Sequence, residues 1–174
     1  MSFVYQIDNL LTPDECQHYM DLFLDESQVE LIDDKHRKYH RVQFNDAELA
    51  ATLYEKVRGY LPKKIKKISV GLNNHFRLSK YNPGQFFGIH KDGINHNGAE
   101  ISYATLNIFL NDNFTGGETI FYDKDKRTIN FICKPLLGRG GLFYSQQYHE
   151  GAKLLSGNKY LLRTDLMINH NKNI

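Results

Sequence analysis

The chain has no tryptophan and only two cysteines in 174 residues. Cys16 and Cys133 stand too far apart to form a metal-binding spacing motif, and two thiols do not make a disulfide framework. They suit a reducing compartment. Long apolar runs are also missing, and none approaches the roughly 20 residues of a membrane-crossing helix. The first residues, MSFVYQIDNLLTPDE, lack the basic head, apolar middle and small-residue cleavage pattern of a signal peptide. A cytoplasmic protein is expected. No sign of charge dominates, since 22 Lys and Arg face 20 Asp and Glu. The one basic run, KKIKK from Lys63 to Lys67, has no arginine–aromatic patch around it and reads as a solvated strand edge or loop. Neither nucleic acid nor a membrane is an expected partner. What remains, 41% hydrophobic and 24% charged, describes an ordinary globular chain of one domain, residues 1–174.

Thr12-Pro13-Asp14-Glu15 is a capping box with proline at the first helical position. Cys16, Tyr19, Met20 and Phe23 then form one apolar stripe at helical spacing. The stretch DESQVELIDDKHRKYHR is charged and irregular, a loop or weak strand. Asn45 is the expected cap of a second helix carrying Leu49, Leu53, Val57 and Leu61, which Pro62 ends. Near residue 68 the period shifts to two. Short alternating runs such as ISYATLNIFLND and KYLLRTDLMI follow, separated by turn residues. The reading is α+β but mainly β: a helical support region over 1–67 buttressing a sandwich or barrel over 68–168.

In NNHFRLSKY, the residues Asn73, His75, Arg77, Ser79 and Tyr81 share one face, while Leu72, Phe76 and Leu78 lie on the other. The apolar face suits packing on the helices, and the polar face is either wet or lines a cavity. That strand leads to FFGIHKDG, where His90 and Asp92 leave one side of a strand together. Of the eight histidines, His18, His36, His40 and His170 are expected to face solvent, and pattern does not decide His75 or His96. His149, at a strand end after GRGGLFYSQQYHEG, completes a candidate two-histidine, one-carboxylate set. Such a set leaves half an octahedron open and suits Fe(II), with room for a bidentate cosubstrate and O₂. Structural zinc would need a closed fourth ligand, typically a thiolate. In SGNKYLLRTDLMI, Lys159, Leu161, Arg163 and Asp165 share a face. Buried cations there require a partner.

Four segments, in order, resemble the prolyl 4-hydroxylase-like branch of the 2-oxoglutarate, Fe(II)-dependent dioxygenases: KYNPGQFFGIHKDG, YATLNIFLNDNFTGGETIFYD, KPLLGRGGLFYSQQYHEG and GNKYLLRTDLM. The resemblance runs from about Leu72 to Met167. It implies a double-stranded β-helix, a distorted jelly roll with N-terminal helices packed on one sheet. It implies that His90, Asp92 and His149 hold iron and that Lys159, ten residues after His149, binds the distal carboxylate of 2-oxoglutarate. Tyr81, Arg163 and Thr105 are further cosubstrate candidates, although Arg163 could instead pair with Asp165 or meet the substrate. Arg77, Asn107 and Asp165 are candidate substrate contacts, and Phe109 and Thr119 are expected in the same pocket. The activity implied is hydroxylation of a C–H bond on a protein side chain or small amino-acid-like molecule, using Fe(II), 2-oxoglutarate and O₂, with ascorbate as reductant. The polar loop GINHNGAEIS is a candidate lid. Two alternatives stay open: a non-catalytic jelly-roll binding module, and a desaturase on the same triad. A halogenase is disfavoured, because Asp92 occupies the position such enzymes leave without a carboxylate.

Overall fold

The N-terminal third departs furthest from the sequence reading. In the computed structural model, which describes residues 3–171, this region holds strands as well as helices. Strand β1 (Val4–Ile7) precedes helix α1 (Pro13–Met20). The capping box forms as read: Glu15 N–H donates to Thr12 Oγ1 at 3.2 Å, and Thr12 N–H donates to Glu15 Oε2 at 2.7 Å. The charged stretch then forms a hairpin, β2 (Glu30–Asp34) and β3 (Arg37–Asn45). Asp34 closes its turn by accepting from the N–H groups of His36 and Arg37. Exposed ion pairs, Lys38–Asp33 and Arg41–Glu30, cross between the two strands. They give the hairpin its loop-like composition. Behind them, Val42 and Phe44 turn to the helices, while Tyr39 is buried on the opposite face.

Helix α2 (Ala47–Val57) starts one residue later than expected. Asp46, not Asn45, is the cap, accepting from Leu49 N–H at 2.8 Å. Asn45 instead ends β3. KKIKK is neither strand edge nor loop. It lies in α3 (Lys63–Ile68), where Ile65 and Ile68 are buried and the lysines face solvent. Pro62 therefore starts a helix as well as ending the run before it.

The remainder is strand: β4 (Ser69–Leu72), β5 (His75–Tyr81), β6 (Phe86–His90), β7 (His96–Asn97), β8 (Glu100–Phe109), β9 (Thr115–Gly116), β10 (Thr119–Tyr122), β11 (Ile129–Cys133), β12 (Gly140–Tyr144), β13 (Tyr148–Gly151), β14 (Leu154–Ser156) and β15 (Lys159–Asn169). A 13-stranded antiparallel sheet runs β1–β12–β8–β15–β5–β3–β6–β13–β10–β11. Off that path, β2, β4 and β7 pair with β3, β15 and β8, while β14 pairs with β9. Residues from β5, β8 and β15 line one cleft together with residues from β6, β10 and β13. The sheet therefore folds over on itself into a nearly closed jelly roll, the double-stranded β-helix expected. The main core lies outside that cleft, where Leu53, Val57 and Ile65 meet Phe76, Leu78, Leu106, Leu162 and Leu166. Cys16 and Cys133 are buried free thiols. Among the described residues, no helix is long and apolar enough to cross a membrane.

Gly138 ties the N-terminal segment to the barrel. Its carbonyl accepts from Leu10 N–H, and its N–H donates to the Phe109 carbonyl, both at 2.9 Å. Its φ is +73°, and a Cβ there would lie 2.2 Å from the Leu11 carbonyl oxygen. Gly138→Ala is expected to cost about 2 kcal/mol or more, because strain and a backbone clash add. A urea midpoint equal to that of the native protein would show that the Leu11 backbone yields freely.

Candidate metal centre and its cleft

Strands β6 and β13 are antiparallel with His90 directly opposite His149, so both imidazoles leave one face. Their ring centroids are 4.2 Å apart. Asp92, just past the end of β6, turns its carboxylate between them. Its Oδ1 lies 3.4 Å from His90 Nε2 and 3.7 Å from His149 Nε2, and one ligand atom from each residue falls within 4.8 Å of the others. His90 Nδ1 lies 2.8 Å from the Gly88 carbonyl, and His149 Nδ1 lies 3.0 Å from the Gln147 carbonyl. A carbonyl only accepts, so each Nδ1 carries the proton and each Nε2 presents a lone pair towards Asp92. The rings are held by packing as well: Phe87 stacks on His90 at 3.6 Å, and Phe143 meets His149 edge-on at 4.7 Å.

Electrostatics keep His149 and Asp92 in ligand form. Burial pushes His149 down to about 4, against the opposing pull of Asp92, so the imidazole is neutral at pH 7. Burial would raise Asp92, but the Arg163 guanidinium beside it and the hydrogen bond from Thr105 outweigh it and hold the carboxyl well below its usual range. Thr105 Oγ1 donates to Asp92 Oδ2 at 2.5 Å. Arg163 Nη1 approaches Oδ1 to 2.9 Å, yet Oδ1 has no well-aligned hydrogen bond. Two imidazole nitrogens and one carboxylate oxygen thus converge on a point, the donor types a divalent transition metal takes. The donor set fits Fe(II).

Cross-strand register builds the rest of the cleft in rows. Lys159 is opposite Tyr81. Leu161 is opposite Ser79 on one side and Phe109 on the other. Arg163 is opposite Arg77 and Asn107, and Asp165 is opposite Thr105. Lys159 is 1% exposed. Its Nζ donates to the Gly117 carbonyl at 2.6 Å and sits 4.9 Å from the centre of the Tyr81 ring. Burial lowers its pKa to about 8, although Glu118 pulls the other way. Tyr39, from β3, packs 5.1 Å from Tyr81, and burial pushes the Tyr81 phenol up. Asp165, 2% exposed, accepts from Arg77 Nη1 at 3.3 Å, Arg163 Nη2 at 3.4 Å and Asn95 Nδ2 at 2.7 Å. The cleft is lined further by Tyr39, Ser79, Phe87, Thr119 and Gly151.

The residues assigned to the site from sequence gather in or beneath this cleft, with adjustments. Thr105 was expected to meet a cosubstrate, but it is fully buried and its hydroxyl is committed to Asp92. Asp165 lies buried beneath the two arginines, and Phe109 packs beside Lys159. Arg163 pairs with Asp165, as one expectation had it, and also with Asp92. Thr119 lines the cleft. Lys91 turns away, its Nζ 4.6 Å from the Tyr148 ring centre. His75 lies 3.2 Å from the side chains of both Asn45 and Gln43, outside the cluster. His40 is half-buried where solvent exposure was expected. Missed were Tyr39, Phe87 and Asn95. Asn95 pins the polar loop to Asp165 and, through its N–H, to Ser102 Oγ.

The family model described as 2OG-Fe(II) oxygenase superfamily matches residues 76–164, a span that includes the triad, Tyr81, Lys159 and Arg163. Among solved structures, the chain is similar to the viral collagen prolyl hydroxylase of Paramecium bursaria Chlorella virus 1, with 21% identity, a TM-score of 0.71 and coverage of 95% of this chain and 96% of that one. It is similar to a Pseudomonas putida prolyl-4-hydroxylase, with 15% identity, a TM-score of 0.71 and coverage of 94% and 91%. A Trichoplax adhaerens prolyl hydroxylase, solved with a hypoxia inducible factor peptide fragment, shares 14% identity at a TM-score of 0.74, with coverage of 97% and 84%. At these identities the likeness is one of fold. An uncharacterised fowlpox virus protein (strain NVSL) is 26% identical over 149 residues, 84% of this chain, and the chain spans 34% of that protein's length.

Proposed function

The chain belongs to the 2OG-Fe(II) oxygenase superfamily, and from that premise we propose that it hydroxylates a C–H bond on a protein side chain or small amino-acid-like substrate, as one domain over 1–174. The observation that carries this is a single cleft holding the His90–Asp92–His149 cluster and, at the start of β15, the buried cation Lys159. His90, Asp92 and His149 would hold Fe(II). When bound, the iron supplies the redox chemistry by which R–H, 2-oxoglutarate and O₂ become R–OH, succinate and CO₂. Ascorbate as reductant and a cytoplasmic location are parts of the same proposal.

The residues divide the work. Thr105 occupies Oδ2 of Asp92, so the carboxylate presents Oδ1 alone. Lys159 gives one N–H to Gly117 and keeps two for the distal carboxylate of 2-oxoglutarate. Tyr81 adds a phenol beside it. Leu161 and Phe109 make the intervening wall apolar, which strengthens both contacts by excluding water.

Anaerobic titration with Fe(II) and 2-oxoglutarate is expected to produce a weak visible charge-transfer band, and aerobic turnover is expected to release succinate. A protein that forms no band would sink the reading. The product distinguishes the outcomes, since hydroxylation adds one oxygen and desaturation removes two hydrogens.

The Lys159 shift sets a pH dependence. The ammonium must be charged to hold a carboxylate, and its folded pKa of about 8 lies below the ordinary 10.5. Affinity for 2-oxoglutarate is expected to be level below about pH 7 and to fall by about tenfold per unit well above pH 8. Without cosubstrate the sign reverses: the buried charge costs stability below pH 8, and that cost is relieved as pH rises towards 10.5. Calorimetric titration at several pH values checks this, and a flat affinity to pH 9.5 would show that Lys159 is not the anchor.

A further inference from the structure

The Arg163 row carries a charge arrangement that the cosubstrate does not use up. Arg77, Arg163 and Asn107 are directly paired across β5, β15 and β8, and all three line the cleft. Two like charges side by side repel unless an anion bridges them. Asp165 bridges them on the buried side, at 3.3 and 3.4 Å; Asp92 Oδ1 meets Arg163 alone, at 2.9 Å, and among the described residues no carboxylate bridges the pair on the cleft side. Asn107 is 7% exposed, and among the described residues its buried Oδ1 receives no donor. Arg163 Nε is likewise buried without an acceptor.

Length points the same way. Lys159 and Arg163 stand four positions apart, about 13 Å along a strand. A five-carbon dicarboxylate held between Lys159 and the histidine cluster leaves Arg77 facing the open cleft, its side chain 23% exposed.

Resting on the oxygenase reading, we infer that this row recognises the substrate, and that the substrate carries a free carboxylate beside an N–H donor: an α-amino acid, alone or as the C-terminal residue of a peptide. The carboxylate is held by Arg77 and Arg163, and the N–H donates to Asn107 Oδ1.

The test uses protein loaded with Fe(II) and 2-oxoglutarate without oxygen. Free L-amino acids, their amides, N-acetyl peptides with free C-termini and peptides blocked at both ends are titrated, and each is read by its perturbation of the charge-transfer band. At least one free acid is expected to bind about tenfold or more tightly than its amide, the scale of a charge-assisted contact. Arg77→Gln is expected to bring that ratio close to one. Asn107→Leu is expected to weaken acid and amide alike, since both keep the N–H. Amino acids against C-terminal peptides identify the source. A doubly blocked peptide binding as tightly as any acid, or no acid perturbing the band, would overturn the inference. A protein that forms the band but fails these tests loses this inference alone, whereas one without a band loses the oxygenase reading beneath it.

Discussion

Asp92→Ala is expected to abolish both the charge-transfer band and succinate release. Loss of a group that merely orients a metal ligand costs about 10–100-fold in affinity or activity, so loss of a ligand should exceed about 100-fold. Asp92 is also the centre of its neighbourhood. Its Oδ1 faces both histidines and Arg163, and its Oδ2 takes the Thr105 hydroxyl. Removing it leaves Arg163 with Asp165 as its remaining carboxylate and the Thr105 hydroxyl buried without its acceptor. Some loss of stability is therefore expected, about 1–3 kcal/mol from the stranded polar groups. Asp92→Asn separates the effects, because an amide can keep the Thr105 contact while losing the charge. If Asp92→Asn folds like the native protein and still forms the full band, Asp92 is not a metal ligand.

Lys159→Met is expected to weaken 2-oxoglutarate binding by roughly 1.5–3 kcal/mol, about 10–150-fold, with little change in iron affinity. Methionine keeps much of the volume and removes the charge. The side chain is fully buried and its ammonium is disfavoured there, so the variant without cosubstrate is expected to be as stable as the native protein or more so. Thermal denaturation with and without 2-oxoglutarate reads both effects. The native protein should gain more from the ligand than the variant. Equal affinity in the two would shift the anchoring role to Arg163.

The parts of this site legible in the sequence were those where local pattern and chemistry agree. His90 and Asp92 one residue apart, and Lys159, Arg163 and Asp165 at alternate positions, reveal a shared face without knowledge of the partner strands. Thr12 to Glu15 marks a helix start by its own hydrogen bonds. Tyr39 was hidden for the opposite reason. Its strand earns its place through partners far along the chain, Val42 opposite Leu78 and Phe44 opposite Phe76, while its exposed side carries the charges of a loop. KKIKK was misread because four lysines hide two isoleucines three residues apart. The Asn45–Asp46 choice of cap turned on where β3 stops pairing with β5, which no local rule contains. Phe87 stacks on His90, three residues ahead, where the register between β6 and β13 shifts, and simple alternation misses it.

The placement of β1 and β3 has a kinetic consequence. Val4 pairs with Phe143, and His40 with Lys80, so the first segments of the chain find their sheet neighbours only after long loops have closed. Chains dominated by such distant pairings fold slowly, because closure entropy is lost before contacts repay it. Tyr39 arrives with one of those segments, so the wall behind Tyr81 is absent from any partly folded chain that lacks β3. Iron could visit His90 and His149 in such a species, but the complete cosubstrate pocket belongs to the native state. 2-Oxoglutarate should therefore slow unfolding more than it speeds refolding.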